Sequence, residues 1–174
     1  MKKDFITTLK IQKLTISDIE PLVLSFAKAN WQKPKKLFEQ YLQEQQQNKR
    51  LIWVTYLDNQ IAGYITLVWV SSYKYFNQNQ IPEIKDLNVL PSFRNLGIGL
   101  KLLKTAEDAA QQKSNILGIG VGLYADYGSA QRLYVKNGYV PDGKGITYNY
   151  KTIEPSTAII LDDDLVLFFT KKLK

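Results

Sequence analysis

Residues 93–103 read FRNLGIGLKLL, in which Arg94 is followed by glycines at 97 and 99 and then by an apolar pattern with helical spacing. The first backbone N–H groups of a helix lack intrahelical partners and sit at the positive end of its dipole, so a loop of this kind suits an anion. Glycine lets the main chain approach closely, and Arg94 can add charge-assisted hydrogen bonds. The lysine and hydroxyl of a nucleotide-hydrolysing phosphate loop are missing here. Spacing alone leaves a second reading open, in which the two glycines only permit tight packing of helix on sheet.

Two absences narrow the chemistry. The chain contains no cysteine and no histidine, which excludes a disulfide framework, an acyl-cysteine intermediate, a Ser-His-Asp triad and the histidine- or cysteine-based metal sites. Catalysis is left to carboxylates, Tyr, Lys, Ser or Thr, backbone amides or a bound cosubstrate, and no metal is expected. A second glycine pattern, Gly120-Val121-Gly122-Leu123-Tyr124-Ala125, fits G-x-G-x-x-A, with Asp142 near the distance of a ribose contact. The run ahead of these glycines is short for a dinucleotide-binding strand, the helix after them is short, and the match falls too late for a doubly wound domain to follow.

The elements that must position these residues follow from periodicity. Leu9 to Ile16 alternates as a strand, and SDIEPLVLSFAKA is a helix with Ser17 and Glu20 at capping-box spacing and Pro21 in its first turn. A second helix from Pro34 buries Leu37, Phe38, Tyr41 and Leu42. RLIWVTYLDNQIAGYITLVWV is a hairpin turning at Asp58, Asn59 and Gln60. Ser71 to Gln80 reads as a loop and IPEIKDLNVLP as a strand ended by Pro91. The glycine segment then opens a long helix with Ile98, Leu102, Leu103, Ala106 and Ala110 inward. NILGIGVGLYA is a strand, and DYGSAQRLYVKNG a short helix capped by Asp126 or Ser129 and ended by Gly138. YVPDGKGITYNY and DDDLVLFFTKKL supply the last strands, around an excursion from Lys151 to Leu161.

An apolar content of 45% with 22% charged residues is ordinary for a soluble globular protein, and 174 residues fit one domain. The net charge of +7 suits a polyphosphate ligand. It does not point to nucleic acid, because Lys33, Lys35 and Lys36, and Lys171, Lys172 and Lys174, read as solvated faces rather than a stripe. Asp4 and two threonines interrupt the opening MKKDFITTLKI, and the longest apolar run, Ile61 to Val70, is strand length, so a cytoplasmic chain without a membrane span is expected.

LNVLPSFRNLGIGLKLL resembles the acetyl-CoA loop of the Gcn5-related N-acetyltransferase (GNAT) superfamily: a strand ending V-x-P, then R/Q-x-x-G-x-G, then a Leu-rich helix. Downstream, AQRLYVKNGYVPDG is similar to the family's A-x-x-L-Y-x-x-x-G-F/Y segment. The likeness covers Leu51 to Asp142, with the N-terminal helices matched by order alone. Where the family often has a basic residue or glycine after the arginine, Asn95 and Leu96 stand here, a small departure if backbone amides do the binding.

This resemblance implies an α/β (α+β) fold in one domain, 1–174, with a mixed, mostly antiparallel, twisted sheet splayed between its fourth and fifth strands. About seven strands and about four helices are expected. It implies an acetyl-CoA-dependent N-acetyltransferase of bacterial type, in which Arg94, Asn95, Leu96, Gly97, Ile98 and Gly99 hold the CoA pyrophosphate and Leu87, Asn88 and Val89 the pantetheine arm. Tyr134 matches the tyrosine that protonates the departing thiolate. A phenol with a pKa near ~10 carries that proton at neutral pH, and the thiol accepting it lies near ~8.5. The residue-level alternative is a core tyrosine sharing a face with Ala130, Leu133 and Asn137.

Glu83 falls where several members place the base that deprotonates the amine; the alternatives are an exposed glutamate at a strand start, or Asp86 as base. Such a base matters for a lysine-like amine with a pKa of ~10.4 and much less for an α-amine near ~8. Trp31, SSYKYF and the Lys151 to Leu161 excursion occupy the acceptor-determining regions, as pocket lining or as core cover. Asp162, Asp163 and Asp164 either attract a cationic acceptor or form a solvated turn. The partners expected are acetyl-CoA and an amine, with no nucleic acid, no membrane and a homodimer left open. A non-catalytic acyl-CoA-binding sensor is the alternative function.

Overall fold

The computed structural model describes residues 8–174; the start of the opening basic stretch lies outside the described residues. The strands are β1 Leu9–Lys13, β2 Arg50–Leu57, β3 Gln60–Val68, β4 Glu83–Val89, β5 Ile116–Gly122, β6 Val140–Tyr148, β7 Lys151–Thr152 and β8 Leu165–Lys172. The helices are α1 Ile16–Lys28, α2 Lys35–Gln46, α3 Lys74–Gln78, α4 Ile98–Gln111 and α5 Gly128–Lys136. The strands form one mixed sheet in the order β1-β2-β3-β4-β5-β8-β6-β7. The parallel ladder between β4 and β5 covers two residue pairs, Glu83↔Gly118 and Ile84↔Ile119, whereas β5 pairs antiparallel with β8 along all seven of its residues. Among the described residues no helix is long and apolar enough to cross a membrane.

The chain divides into two compact units. The first holds the described residues up to Thr66 together with Asp86–Lys104, the second Leu67–Lys85 and Thr105–Lys174. In the first unit α1 begins two residues earlier than the capping-box spacing predicts. Thr15 is its N-cap, and the buried Asp18 accepts the backbone N–H and the hydroxyl of Thr15, both at 2.7 Å. Pro21 therefore lies inside the helix rather than in its first turn. Its missing N–H would have met the carbonyl of Ser17, an exposed residue where water can serve instead. Leu14, Ile19, Leu22, Phe26, Phe38, Tyr41, Ile52, Val54 and Tyr64 form the core of this unit. The hairpin turns where expected, with Asp58 and Asn59 both left-handed (φ +47° and +64°), the backbone of a two-residue primed turn.

In the second unit the Ser71 to Gln80 stretch holds a short helix, α3, in place of the expected loop. Five residues are too few for a helical apolar pattern to show. Its Phe76, with Tyr73, Ile81 and Phe168, makes a second core cluster. α5 starts at Gly128 after a 3-10 turn at Ala125–Tyr127, and its N-cap is Tyr127 with no side-chain cap, so neither Asp126 nor Ser129 caps it. Gly138 ends it at φ +85°, as predicted. Among the described residues the strand count is eight rather than about seven because the excursion contributes β7, whose two residues are too short to alternate visibly.

Candidate functional site

The five positions expected to face inward on α4 are all buried, and the loop before it turns through two left-handed residues. After a 3-10 turn at Pro91–Phe93, Asn95 (φ +61°) and Gly97 (φ +76°) are left-handed, with Arg94 extended between turn and loop. Left-handed residues in such a turn bring successive N–H groups toward one concavity, and the helix dipole adds to them. The α4 hydrogen-bond ladder begins with the Lys101 N–H donating to the Gly97 carbonyl at 3.1 Å. A Cβ at Gly97 would meet no atom within 4 Å, so the glycine serves backbone conformation and open space, not helix-to-sheet packing. Asn95 holds the other left-handed position because its short polar side chain tolerates it. Arg94 is exposed, its Nε donating to the Val89 carbonyl at 3.3 Å and its guanidinium 5.2 Å above the Trp31 ring.

Upstream, β4 comes very close to β3 at Asn88. A Cβ at Gly63 would lie 2.2 Å from the Asn88 carbonyl oxygen and 3.1 Å from the Val89 Cα, so only glycine lets β4 pass this close to β3. Leu87, Asn88 and Val89 are half-buried, and the Leu90 N–H donates to the Ala62 carbonyl at 2.9 Å. Asp86, the alternative base, accepts the Tyr41 hydroxyl at 2.5 Å, and Arg50 lies 4.2 Å over the Tyr41 ring while bonding Glu44 and Thr66. Burial first, then the Asp86 charge, pushes the Tyr41 phenol well above its ordinary value.

In the second unit Glu83 is buried, 3% exposed, so it is not the exposed strand-start residue of one expectation. Ser71 donates its hydroxyl to the Glu83 carboxylate at 2.6 Å and accepts the Tyr73 N–H at 2.9 Å. Sequence reasoning placed Ser71 in the SSYKYF stretch but not against Glu83, and a serine in a polar stretch gives no signal of such a partner. Tyr134 is 5% exposed, with Ala130, Leu133 and Asn137 half-buried on its face and the Tyr139 ring 6.0 Å away.

The glycines of β5 are not a phosphate loop. Gly120 and Gly122 lie within the ladder to β8, paired with Phe168 and Val166. A Cβ at Gly118 would strike the Phe76 ring at 2.2 Å, one at Gly120 the Val166 side chain at 2.8 Å, and one at Gly122 the Tyr127 ring at 2.4 Å. They make room for aromatic and branched side chains, and Asp142 accepts the Tyr73 hydroxyl at 2.9 Å rather than standing clear for a ribose. The acidic run is likewise engaged: Asp163 accepts the hydroxyls of Tyr124 and Tyr127, and Asp162 accepts that of Tyr148 at 2.9 Å. Lys171 is drawn to Glu107 at 2.7 Å instead of lying in a solvated tail.

The sequence profile of the Acetyltransferase (GNAT) family matches residues 19–139. No curated protein matches the chain significantly. Among solved structures, an N-acetyltransferase from Staphylococcus aureus Mu50 aligns with a TM-score of 0.70 at 18% identity over 96% of this chain and 99% of its own. The PaiA N-acetyltransferase from Thermoplasma acidophilum, in complex with coenzyme A, aligns with a TM-score of 0.64 at 18% identity over 95% and 99%. The ribosomal-protein-S18-alanine N-acetyltransferase from Escherichia coli aligns with a TM-score of 0.66 at 14% identity over 95% and 94%. At these identities the structures establish a shared fold, and the profile, which spans well over half of the sequence, establishes kinship: the chain belongs to the acetyltransferase (GNAT) family.

Proposed function

We propose that this acyltransferase moves an acetyl group from acetyl-CoA directly to a primary amine, held with it in a ternary complex. Acetyl-CoA is the family's acyl donor, and it supplies an activated thioester. The observation that carries the reading is the Arg94–Gly99 turn, whose left-handed Asn95 and Gly97 gather backbone N–H groups at the start of α4. These residues fit a pyrophosphate: donors are numerous, Arg94 adds a positive charge, and Gly97 keeps the approach open. Leu87, Asn88 and Val89 hold the pantetheine arm, a role supported by β4 leaving its ladder with β5 after Ile84.

Tyr134 holds the proton that the leaving thiolate takes up, a role a phenol fills at neutral pH. Glu83 accepts the proton of the amine. Its bond from Ser71 fixes the carboxylate, and its place in the ladder with Gly118 fixes the backbone. Asp86 is the alternative base, and each carboxylate accepts one hydroxyl, that of Ser71 on Glu83 and that of Tyr41 on Asp86. With no cysteine in the chain, no acyl-cysteine step is available.

The test is CoA-thiol release from acetyl-CoA across small-molecule amines, amino acids and peptides with free α- and ε-amines. Amine-dependent release supports the transferase reading. Tight CoA binding with no release on any amine favours the acyl-CoA sensor instead.

A further inference from the structure

Resting on the pyrophosphate reading of the loop, we infer that Trp31 is a positioning residue for the cofactor: it holds Arg94 in place for the phosphates. Trp31 lies just beyond the C-terminus of α1, whose C-cap is Ala29. Asn30 adopts φ +59°, its N–H donates to the Ala27 carbonyl at 3.0 Å, and the Trp31 N–H donates to the Phe26 carbonyl at 3.0 Å. This is the paired bonding of a Schellman cap, which brings the residue after the left-handed position back over the last turn. Trp31 accordingly stacks on the fully buried Phe26, with ring centroids 5.9 Å apart and planes at 30°.

The indole is thus fixed by a helix terminus below it and offers a ring face to Arg94, whose guanidinium lies 5.2 Å from its centroid. A second tether, from the Arg94 Nε to the Val89 carbonyl at 3.3 Å, leaves the terminal nitrogens of the guanidinium as the donors for an anion. An exposed arginine otherwise loses much side-chain freedom on gripping a ligand. Held between ring and carbonyl, Arg94 meets part of that cost before the cofactor arrives. The contact also links the α1–α2 connection to the cofactor loop through named side chains.

Calorimetric titration of CoA into the full chain tests this with wild type, Trp31→Ala, Trp31→Phe, Arg94→Ala and the Trp31→Ala/Arg94→Ala double variant. The expected result is a roughly two- to fivefold weaker dissociation constant for Trp31→Ala, the range of an exposed cation–π contact. Trp31→Phe recovers most of the loss, and in the Arg94→Ala background Trp31→Ala causes no further loss. Should Trp31→Ala melt below the assay temperature, Trp31→Leu takes its place, keeping an apolar contact with Phe26 but offering no ring face. An equal loss with and without Arg94 overturns the inference, as does a Trp31→Phe variant that melts like wild type yet binds as weakly as Trp31→Ala. A wild-type chain that does not bind CoA overturns the loop assignment itself, a different failure.

Discussion

Gly63→Ala places a methyl group where β3 runs close against β4, and its effect should reach both stability and cofactor binding. The new Cβ would lie 2.2 Å from the Asn88 carbonyl oxygen, 3.2 Å from the Asn88 carbonyl carbon and 3.1 Å from the Val89 Cα. An ordinary contact begins near 3.4 Å, so the two strands must part by about 1 Å, and the obstructing atoms are backbone with no rotamer to change. Overpacking of this kind costs about 2–3 kcal/mol, which for a chain of this length lowers Tm by roughly 4–12 °C. The displaced residues are those proposed to hold the pantetheine arm, and misplacement by about 1 Å can cost as much as a hundredfold in a positioned reaction. Thermal unfolding followed by circular dichroism, with KM for acetyl-CoA measured well below the lowered Tm, reads both effects. A variant that melts within a degree of wild type with unchanged KM would refute the claim that Gly63 sets the path of β4.

Gly118→Ala should cost about 2 kcal/mol, because the Phe76 ring it strikes is fully buried beside Tyr73 and Phe168. Most of that cost should vanish in a Phe76→Leu background, and additive losses would show the contact to be irrelevant. Tyr134→Phe should depress turnover while leaving CoA affinity near wild type, since it removes a proton and little volume; unchanged turnover would take Tyr134 out of the mechanism. Burial raises the pKa of Tyr64, and burial followed by the Asp86 charge raises that of Tyr41. A raised folded-state pKa means stability that is full below the unfolded value of ~10 and is lost as pH climbs toward the folded values. Tyrosinate absorbance should therefore appear in two stages above that pH, the second coinciding with loss of ellipticity. Ionisation of all eleven tyrosines with the fold intact would contradict this.

Long periodic elements were legible in the sequence. The inward face of α4 and the Asp58-Asn59 hairpin turn stand as read, because apolar spacing and turn chemistry are local properties. The turn ahead of α4, left-handed at Asn95 and Gly97, was legible for the same reason, since glycine spacing ahead of an apolar helix is itself a local signal. What was hidden depends on distant partners. The start of α1 at Thr15 is set by Asp18, which also receives the Tyr56 hydroxyl from β2, and the short α3 exists because Phe76 fills the space left by Gly118. Burial of Glu83 against Ser71 and the stacking of Arg94 on Trp31 join residues far apart in the chain, and no periodicity reports such pairs.

The most direct measurement is a calorimetric titration of CoA into the wild-type chain and into Gly97→Trp, with circular dichroism verifying that both are folded. A side chain at Gly97 enters open space, so on the proposed pyrophosphate role of the loop wild type should bind CoA and Gly97→Trp should not. Equal affinity in the two proteins would contradict the account, because the phosphates would then rest somewhere other than on the Arg94–Gly99 loop.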